Sequence, residues 1–354
     1  MSTPPGELME ALVWTAPRVM EMQRLPVPRP EPGEVLLAVS AAGICGSELS
    51  GYLGESSIRV PPLVMGHEAA GTIVADADAS LADGSPARAG TRVAFNPLVV
   101  CGECDRCRAG RSSVCRNRKL IGAHRPGAYA PYVAVPAALC FPLPAHVSEV
   151  AGSLTEPLAC GVRAVSLAGP AERLVVLGAG PIGLCCLVAA RAAGVAQVLV
   201  SDISPRRLEV ARAWGAAATV NVRQDDLLAA VQEFAPGGAD AVVDAVGTGV
   251  TRDQAVRAVV PGGRVVFLGL HDENATLHAN YIVRQEIAVQ GSFAYTAADF
   301  ARAFELIVAG AIPLDGGWLE ERPLAEGPRA FEELLAGQAA ATKIVLRVTP
   351  TEHP

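Results

Sequence analysis

Four cysteines lie in one short segment, CGECDRCRAGRSSVC, with the spacing C-x2-C-x2-C-x7-C. They are Cys101, Cys104, Cys107 and Cys115. Cysteines separated by two residues can turn both sulfurs toward one ion, and four thiolates close a tetrahedral shell around zinc. A bacterial iron–sulfur segment places its fourth cysteine closer and follows it with proline, whereas Arg116 follows here. Because a closed shell leaves no position for substrate, the spacing predicts a structural zinc site.

A second set of metal-binding residue types is spread along the chain. Cys45 lies in AAGICGSELS, and free cysteine is usually a buried thiol. The segment VMGHEAAG adds His67 and Glu68, and SLTEPLACG adds Glu156. A thiolate, an imidazole and a carboxylate leave zinc one open position. Neighbouring side chains of a strand face opposite ways, so His67 and Glu68 share one ion only if Gly66 breaks the extended backbone. Glu68 and Glu156 both stay candidates for the third ligand.

A glycine fingerprint opens the second half of the chain, in RLVVLGAGPIGLCCLVAARAAG. A short apolar run leads into Gly178, Gly180 and Gly183, and a pattern of small residues typical of a helix follows. The next apolar segment ends at Asp202. Glycines in this context let the backbone approach a pyrophosphate at a helix N-terminus, and the acid binds the ribose hydroxyls. The segment therefore predicts a dinucleotide site.

Asp202 also bears on the choice of dinucleotide. A carboxylate accepts hydrogen bonds from ribose but repels a 2′-phosphate, so NAD is favoured over NADP, with Arg206 and Arg207 as the nearby opposing charges. The later segments ADAVVDAVGTG and PGGRVVFLGL supply further parallel strands of a doubly wound sheet. The predicted cofactor contacts are Gly178, Gly180, Pro181, Ile182, Gly183, Asp202, Ile203, Arg207, Val246, Gly269 and Leu270.

Composition limits the class of protein. A chain of 354 residues exceeds the size at which one core keeps growing, so two domains are expected. The net charge of -7 argues against a nucleic-acid partner. The N-terminal segment MSTPPGELMEALVW lacks a basic region followed by an apolar run, and no stretch reaches the length of a membrane span. We therefore expect a cytoplasmic protein without a membrane partner, in which cysteines serve metal or packing rather than disulfides.

In combination, these motifs resemble those of zinc-containing medium-chain dehydrogenases/reductases, nearest the sorbitol and polyol dehydrogenase branch. The resemblance extends to EPLAC at 156–160, GSFAYTAADF at 291–300 and KIVL at 343–346. It implies an α/β plus β fold, in which a GroES-like barrel catalytic domain (1–157 and 296–354, zinc lobe about 96–120) contains an inserted Rossmann domain (158–295). It also implies a homo-oligomer, with a tetramer favoured and a dimer possible.

The resemblance assigns roles to the second set of residues. Cys45 and His67 become ligands of a catalytic zinc, so that each chain holds two zinc ions. Polyol-type relatives are expected to use the Glu68 position as the third ligand, with Glu156 holding the metal-bound water. Other relatives place a ligand at the Glu156 position. The polyol branch and Gly66 favour Glu68.

The implied reaction is hydride transfer from a secondary alcohol to NAD, giving a ketone. Zinc lowers the pKa of the alcohol, and Ser47 is placed to accept its proton. Relatives often carry histidine at the position of Ser50 to continue the proton relay, so the exit route differs here. Glu48 replaces a commoner aspartate.

The substrate is a small alcohol or ketone that the sequence does not identify. Threonine dehydrogenase-like oxidation of an amino alcohol stays an alternative, as does a non-catalytic nucleotide sensor. A zinc-free quinone reductase is disfavoured because it would lose the metal-binding residues. Arg59, His124 and Arg125 are candidates for binding an acidic or phosphorylated group, although exposed charges usually serve solvation.

Overall fold

The computed structural model describes residues 8–348. Residues 1–7, on which the expectation of no leader partly rests, and residues 349–354 lie outside the described range. The chain divides into two compact units, one of Met1–Glu156 with Ile307–Pro354 and one of Pro157–Leu306. The domain boundaries expected from the sequence, after 157 and after 295, stay predictions.

The strands are β1 (Leu8–Ala16), β2 (Val19–Pro26), β3 (Glu34–Gly43), β4 (Leu63–Val64), β5 (Glu68–Ile73), β6 (Arg92–Phe95), β7 (Leu98–Val99), β8 (Lys119–Leu120), β9 (Tyr132–Pro136), β10 (Cys140–Pro142), β11 (Arg173–Leu177), β12 (Gln197–Asp202), β13 (Ala218–Asn221), β14 (Ala239–Asp244), β15 (Val259–Phe267), β16 (Ala288–Gly291), β17 (Leu319–Pro323) and β18 (Lys343–Arg347). The helices are α1 (Gly46–Tyr52), α2 (Asp105–Arg108), α3 (Glu149–Ser153), α4 (Thr155–Ala168), α5 (Pro181–Ala192), α6 (Pro205–Ala213), α7 (Leu227–Phe234), α8 (Gly249–Ala258), α9 (Ala279–Arg284), α10 (Ala297–Val308) and α11 (Gly327–Leu335).

The first unit is mainly β. Its largest sheet has the order β10-β6-β5-β3-β18-β17, with β9 also paired to β3. Strand β3 pairs antiparallel with β5, β9 and β18. The β18 pairing places Val345 opposite Gly43. A segment from the end of the chain therefore lies directly beside the Cys45 loop.

The core of the first unit lies under these strands. Its apolar cluster includes Leu37 of β3, Tyr129 and Phe331 of α11, each fully buried. The rings of Tyr129 and Phe331 meet edge to face, with centroids 6.1 Å apart, which is a favourable aromatic geometry. Packing against Phe331 thus fixes the ring of Tyr129 independently of the polar contacts of its hydroxyl.

The second unit holds a six-stranded sheet of order β13-β12-β11-β14-β15-β16, and its pairings are all parallel. Leu174, Val175 and Val176 of β11 are fully buried, as expected for a parallel strand covered on both faces. This order matches the doubly wound dinucleotide fold, in which ligands bind where the strand order reverses. The predicted fold class is confirmed in this unit. In residues 8–348, no helix has the length and apolar character needed to span a bilayer.

Candidate functional site

Cys45, His67 and Glu68 come together in the first unit, with one ligand atom of each within 4.8 Å of the others. Cys45 is the N-cap of α1, and Glu68 is the first residue of β5. Between them, Gly66 has a φ of 100°, a backbone conformation that favours glycine. This break in the extended chain allows the consecutive side chains of His67 and Glu68 to reach one point.

The carboxylate of Glu48 contacts both Cys45 and His67 and holds them in place. Its Oε1 lies 2.7 Å from His67 Nδ1 and accepts a 2.8 Å hydrogen bond from the Gly66 N–H. Its Oε2 accepts from the Cys45 N–H at 3.1 Å and from the Tyr129 hydroxyl. Burial raises the pKa of Glu48, but the charge and hydrogen bond of His67 more than offset this and lower it to about 2. An ionised Glu48 fixes the His67 ring, so that Nε2 is the nitrogen free to bind a metal.

A buried lysine contacts Glu68. Lys343 of β18 is 2% exposed; its Nζ donates to Glu68 Oε2 and to the Ile44 carbonyl, the latter at 2.8 Å. Burial lowers the pKa of Lys343, but the Glu68 charge more than offsets this, so the pKa lies above its usual value. Gly43 makes room for the pair, since a Cβ there would lie 2.3 Å from Glu68 Oε2.

The structure treats the remaining candidates differently. Glu156 is buried near the start of α4 but is not one of the three grouped donors. Ser47 Oγ lies 3.4 Å from Cys45 Sγ. Arg125 is paired with Glu34 at 2.7 Å, and His124 Nδ1 accepts the Leu120 N–H at 3.0 Å. Both loop residues therefore have structural partners.

The four lobe cysteines converge as their spacing predicts. Their sulfurs lie within 4.8 Å of one another, held by the short helix α2 and by the pairing of β7 with β8. Backbone N–H groups, led by that of Arg116, lower the pKa of Cys104 to about 6, whereas burial raises that of Cys107 to about 12. Four thiols this close cannot all ionise without a cation among them, and soft thiolates in this number suit zinc.

The nearby arginines do not all face the sulfurs. Arg116 forms a two-pronged ion pair with Asp105, at 2.6 and 2.9 Å. Both side chains are largely exposed. The pair with Asp105 is the main cause of the raised pKa of Arg116, to which the nearby Cys104 also contributes.

The glycine fingerprint has the geometry of a phosphate-binding turn. Gly178 has a φ of 96°, and a Cβ on Gly183 would lie 1.8 Å from the Gly178 oxygen. Gly180 is the N-cap of α5, and a Cβ there would meet nothing within 4 Å. Pro181 and Ile182 form the first turn of α5. The helix N-terminus is therefore open to an anion.

Asp202 ends β12 beside this turn. It accepts the Ala179 N–H at 2.7 Å and the Ser204 N–H at 2.8 Å. Arg207 lies 3.9 Å from its Oδ2, and Ile203 is exposed next to it. The carboxylate is thus fixed by the backbone at the position where a ribose is expected.

A cavity of about 520 Å³ lies in the second unit, along β15 and β16. Phe267, Gly269, Leu270, Ser292 and Phe293 are among its lining residues. Val246 packs behind it, since a Cβ on Gly269 would lie 2.2 Å from the Val246 carbonyl carbon. The predicted contacts Gly269 and Leu270 therefore line the cavity, while the backbone of Val246 packs against Gly269.

Lys343 and Tyr129 are not singled out by the motifs, and Arg59 is singled out only as a candidate for binding an acidic group. Lys343 is the first residue of KIVL, and Tyr129 and Arg59 lie in loops without a distinctive motif. Each acts through a contact distant in sequence, such as the 275 positions between Glu68 and Lys343. Lys343 directly precedes the apolar run 344–346, but this position alone does not identify Glu68 as its partner.

Two family models match the chain. The model described as "Alcohol dehydrogenase GroES-like domain" matches residues 31–145, which include both sets of metal-binding residue types except Glu156. The model described as "Zinc-binding dehydrogenase" matches residues 181–309.

Known relatives cover most of the chain. L-threonine 3-dehydrogenase of Pyrococcus horikoshii is 35% identical over 78% of this chain and 80% of its own. Sorbitol dehydrogenase of Bacillus subtilis is 29% identical over 96% of this chain and 97% of its own. A zinc-binding dehydrogenase of Sinorhizobium meliloti bound to NADP has a TM-score of 0.86 and 32% identity, covering 96% and 99% of the two chains. An Escherichia coli alcohol dehydrogenase complexed with NADH has a TM-score of 0.87 and 27% identity, covering 97% and 100%.

Proposed function

Because this chain belongs to the zinc-binding alcohol dehydrogenase family, we propose that it oxidises a secondary alcohol of a polyol, diol, cyclitol or sugar derivative to a ketone, with NAD as hydride acceptor. The protein is an oxidoreductase, as its motifs predict. The observation that carries the proposal is the approach of the Cys45, His67 and Glu68 donor atoms to within 4.8 Å. A sensor without catalysis would have no need of such a cluster.

The donor set fits a catalytic zinc. Cys45 Sγ, His67 Nε2 and a Glu68 oxygen supply the soft, borderline and hard ligands that zinc accepts. Bound there, zinc supplies a Lewis acid for the alcohol. The chain's own residues do the rest: Glu48 fixes the imidazole, Lys343 holds one Glu68 oxygen, and Ser47 Oγ accepts the hydrogen bond of the substrate hydroxyl. We assign Glu156 to the water beside the metal, and the four lobe cysteines to a structural zinc.

Asp202 supports NAD as the dinucleotide. Its carboxylate, buried and fixed by two backbone N–H groups, would repel a 2′-phosphate placed on the ribose. Arg207 is half-exposed and lies 3.9 Å from this carboxylate, which partly balances its positive charge, so the pair attracts a 2′-phosphate less than an unpaired arginine would. One structural relative is bound to NADP and another to NADH, so fold alone does not decide the cofactor.

Two substrate classes are separable by experiment. The likeness to sorbitol dehydrogenase over nearly the full chain supports a polyol or diol, and the 35% identity to L-threonine 3-dehydrogenase supports an amino alcohol as the second candidate. Reduction of NAD and of NADP by the zinc-replete protein, followed optically against sorbitol-type polyols, diols, cyclitols and L-threonine, tests both. Turnover with NAD and a polyol or diol is expected. Turnover with L-threonine alone, or with NADP alone, would overturn the corresponding assignment.

We also propose a homo-oligomer, with a tetramer favoured and a dimer possible, in the cytoplasm. Strand β16 lies at the edge of its sheet with all four residues exposed, and Phe293 just beyond it is 42% exposed. An open edge with apolar side chains favours pairing with another chain. A monomer mass by light scattering would argue against assembly.

A further inference from the structure

Arg59 is a buried arginine close to the metal-binding donors. It lies between α1 and β4 and is 4% exposed. A guanidinium removed from water needs partners, because an unpaired buried charge is costly. Within residues 8–348, no carboxylate lies within ion-pair distance of Arg59, and its Nε has no hydrogen-bond partner. The charge of Arg59 helps to lower the pKa of the buried Glu48 without a direct ion pair, so the direct contacts of its guanidinium must be sought elsewhere.

Both remaining nitrogens of Arg59 bind one residue, Ser47. Nη1 donates to the Ser47 carbonyl at 3.0 Å, and Nη2 donates to Ser47 Oγ at 3.2 Å. Gly51 on α1 makes this possible, since a Cβ there would lie 2.7 Å from Arg59 Cδ. The stem of Arg59 thus crosses α1 at a residue without a side chain, and its planar head fits the backbone and the hydroxyl of Ser47 together.

These contacts define the state of the Ser47 hydroxyl. A serine hydroxyl has one hydrogen to donate and two lone pairs to accept. Arg59 occupies one lone pair, and the hydroxyl donates toward Cys45 Sγ at 3.4 Å. One lone pair remains, and its direction is fixed by the other two bonds. Ser47 itself is exposed, so that lone pair is accessible to a ligand.

We propose that Arg59 is a positioning residue that acts through Ser47, holding its hydroxyl so that the free lone pair accepts the hydrogen bond of the substrate alcohol. The inference rests on the proposed role of Ser47. Arg59 does not touch substrate and is not the receptor for an acidic group that its charge alone would suggest.

A double-mutant cycle tests this pairing. Arg59→Met keeps an unbranched apolar stem and removes the guanidinium donors. We expect it to lower kcat by ~10-fold, the scale of a lost supporting contact, with zinc content and the KM for NAD unchanged. Arg59→Lys should restore part of the loss. In a Ser47→Ala background, Arg59→Met should lower kcat by less than about 2-fold, because residues in one hydrogen-bond network are not additive.

Arg322 supplies the matched control. It is a buried arginine of the same unit, paired with Glu320 and Glu333. Arg322→Met should lower the melting temperature, and its effect on kcat should be the same with and without Ser47. The cycle is also measured as melting temperatures of the metal-free variants, where the losses from Arg59→Met and Ser47→Ala should be less than additive.

The outcomes separate this inference from the proposed function. A Ser47→Ala enzyme with wild-type kcat would remove the role of Ser47 and the inference with it. An impaired Ser47→Ala enzyme in which Arg59→Met still costs its full ~10-fold would overturn the inference alone. If Arg59→Met does not fold, Arg59→Lys carries the cycle, and equal losses in both backgrounds would count against the pairing.

Discussion

At the residue scale, Glu68 is already paired with the Lys343 ammonium group, and this pairing determines which of its oxygens can bind a metal. Lys343 holds Oε2, so Oε1 is the oxygen left for zinc. Replacing Glu68 by Gln removes the charge that both cations need and leaves Lys343 buried opposite a neutral amide. Glu156 is buried near the start of α4 and lies outside the three grouped donors.

The two glutamates should therefore differ in metal retention. After mild chelation, Glu68→Gln should lose catalytic zinc preferentially, by more than the ~10–100-fold typical of a supporting residue. Glu156→Gln should keep most of its zinc and lose turnover. Zinc occupancy by elemental analysis checks this. Preferential metal loss from Glu156→Gln would assign that residue as the third ligand instead.

At the scale of elements, the turn before β5 decides whether His67 and Glu68 can converge. Gly66 combines a φ of 100° with a close neighbour, since a Cβ there would lie 2.8 Å from the Tyr129 nitrogen. Gly66→Ala should therefore cost more than the ~1–3 kcal/mol of a strained φ alone and should weaken zinc binding. Gly33, with a φ of 84° and nothing within 4 Å of its Cβ position, is the matched control. Equal losses of melting temperature in both alanine variants would show that the turn is not sterically closed.

The contact between β6 and α3 makes a pH-dependent contribution to the free energy of unfolding. Arg92 Nε donates to Glu149 Oε1 at 2.7 Å, and this hydrogen bond lowers the pKa of Glu149 below its usual 4.5. Because the pKa is lower in the folded state, the unfolded chain binds the proton first. The contribution, about 1 kcal/mol or less for a partly exposed pair, is present above pH 4.5 and lost as the pH falls through the folded pKa.

Glu149→Gln should flatten this part of the stability profile. Melting temperatures at about pH 6 and about pH 4 should differ less for the variant than for the wild type. Glu209, exposed on α6, is the control: Glu209→Gln should keep the wild-type slope. An unchanged slope in Glu149→Gln would mean that this pair does not respond to pH.

At the scale of the whole molecule, local patterns were sufficient for some features and not for others. The cysteine lobe and the glycine turn are predictable because their residues are close in sequence and their spacing is set by one ion or one phosphate. The Glu68–Lys343 pair joins strands that are distant in the chain, and no local pattern identifies it. Arg59 belongs to a residue type that is usually solvated, yet the glycine at position 51 lets it bury. Both features arise from contacts that exist only in the folded chain, so the sequence alone does not reveal them.

In the proposed function, the Cys45, His67 and Glu68 cluster holds the zinc that activates the alcohol. The most direct measurement compares the wild type with Cys45→Ala in the rate of NAD reduction by the best alcohol, together with zinc content and NAD affinity. We expect two zinc ions in the wild-type chain. The variant should keep one zinc ion and its NAD affinity, but have no turnover above background. Oxidation of the same alcohol by Cys45→Ala at the wild-type rate would contradict it.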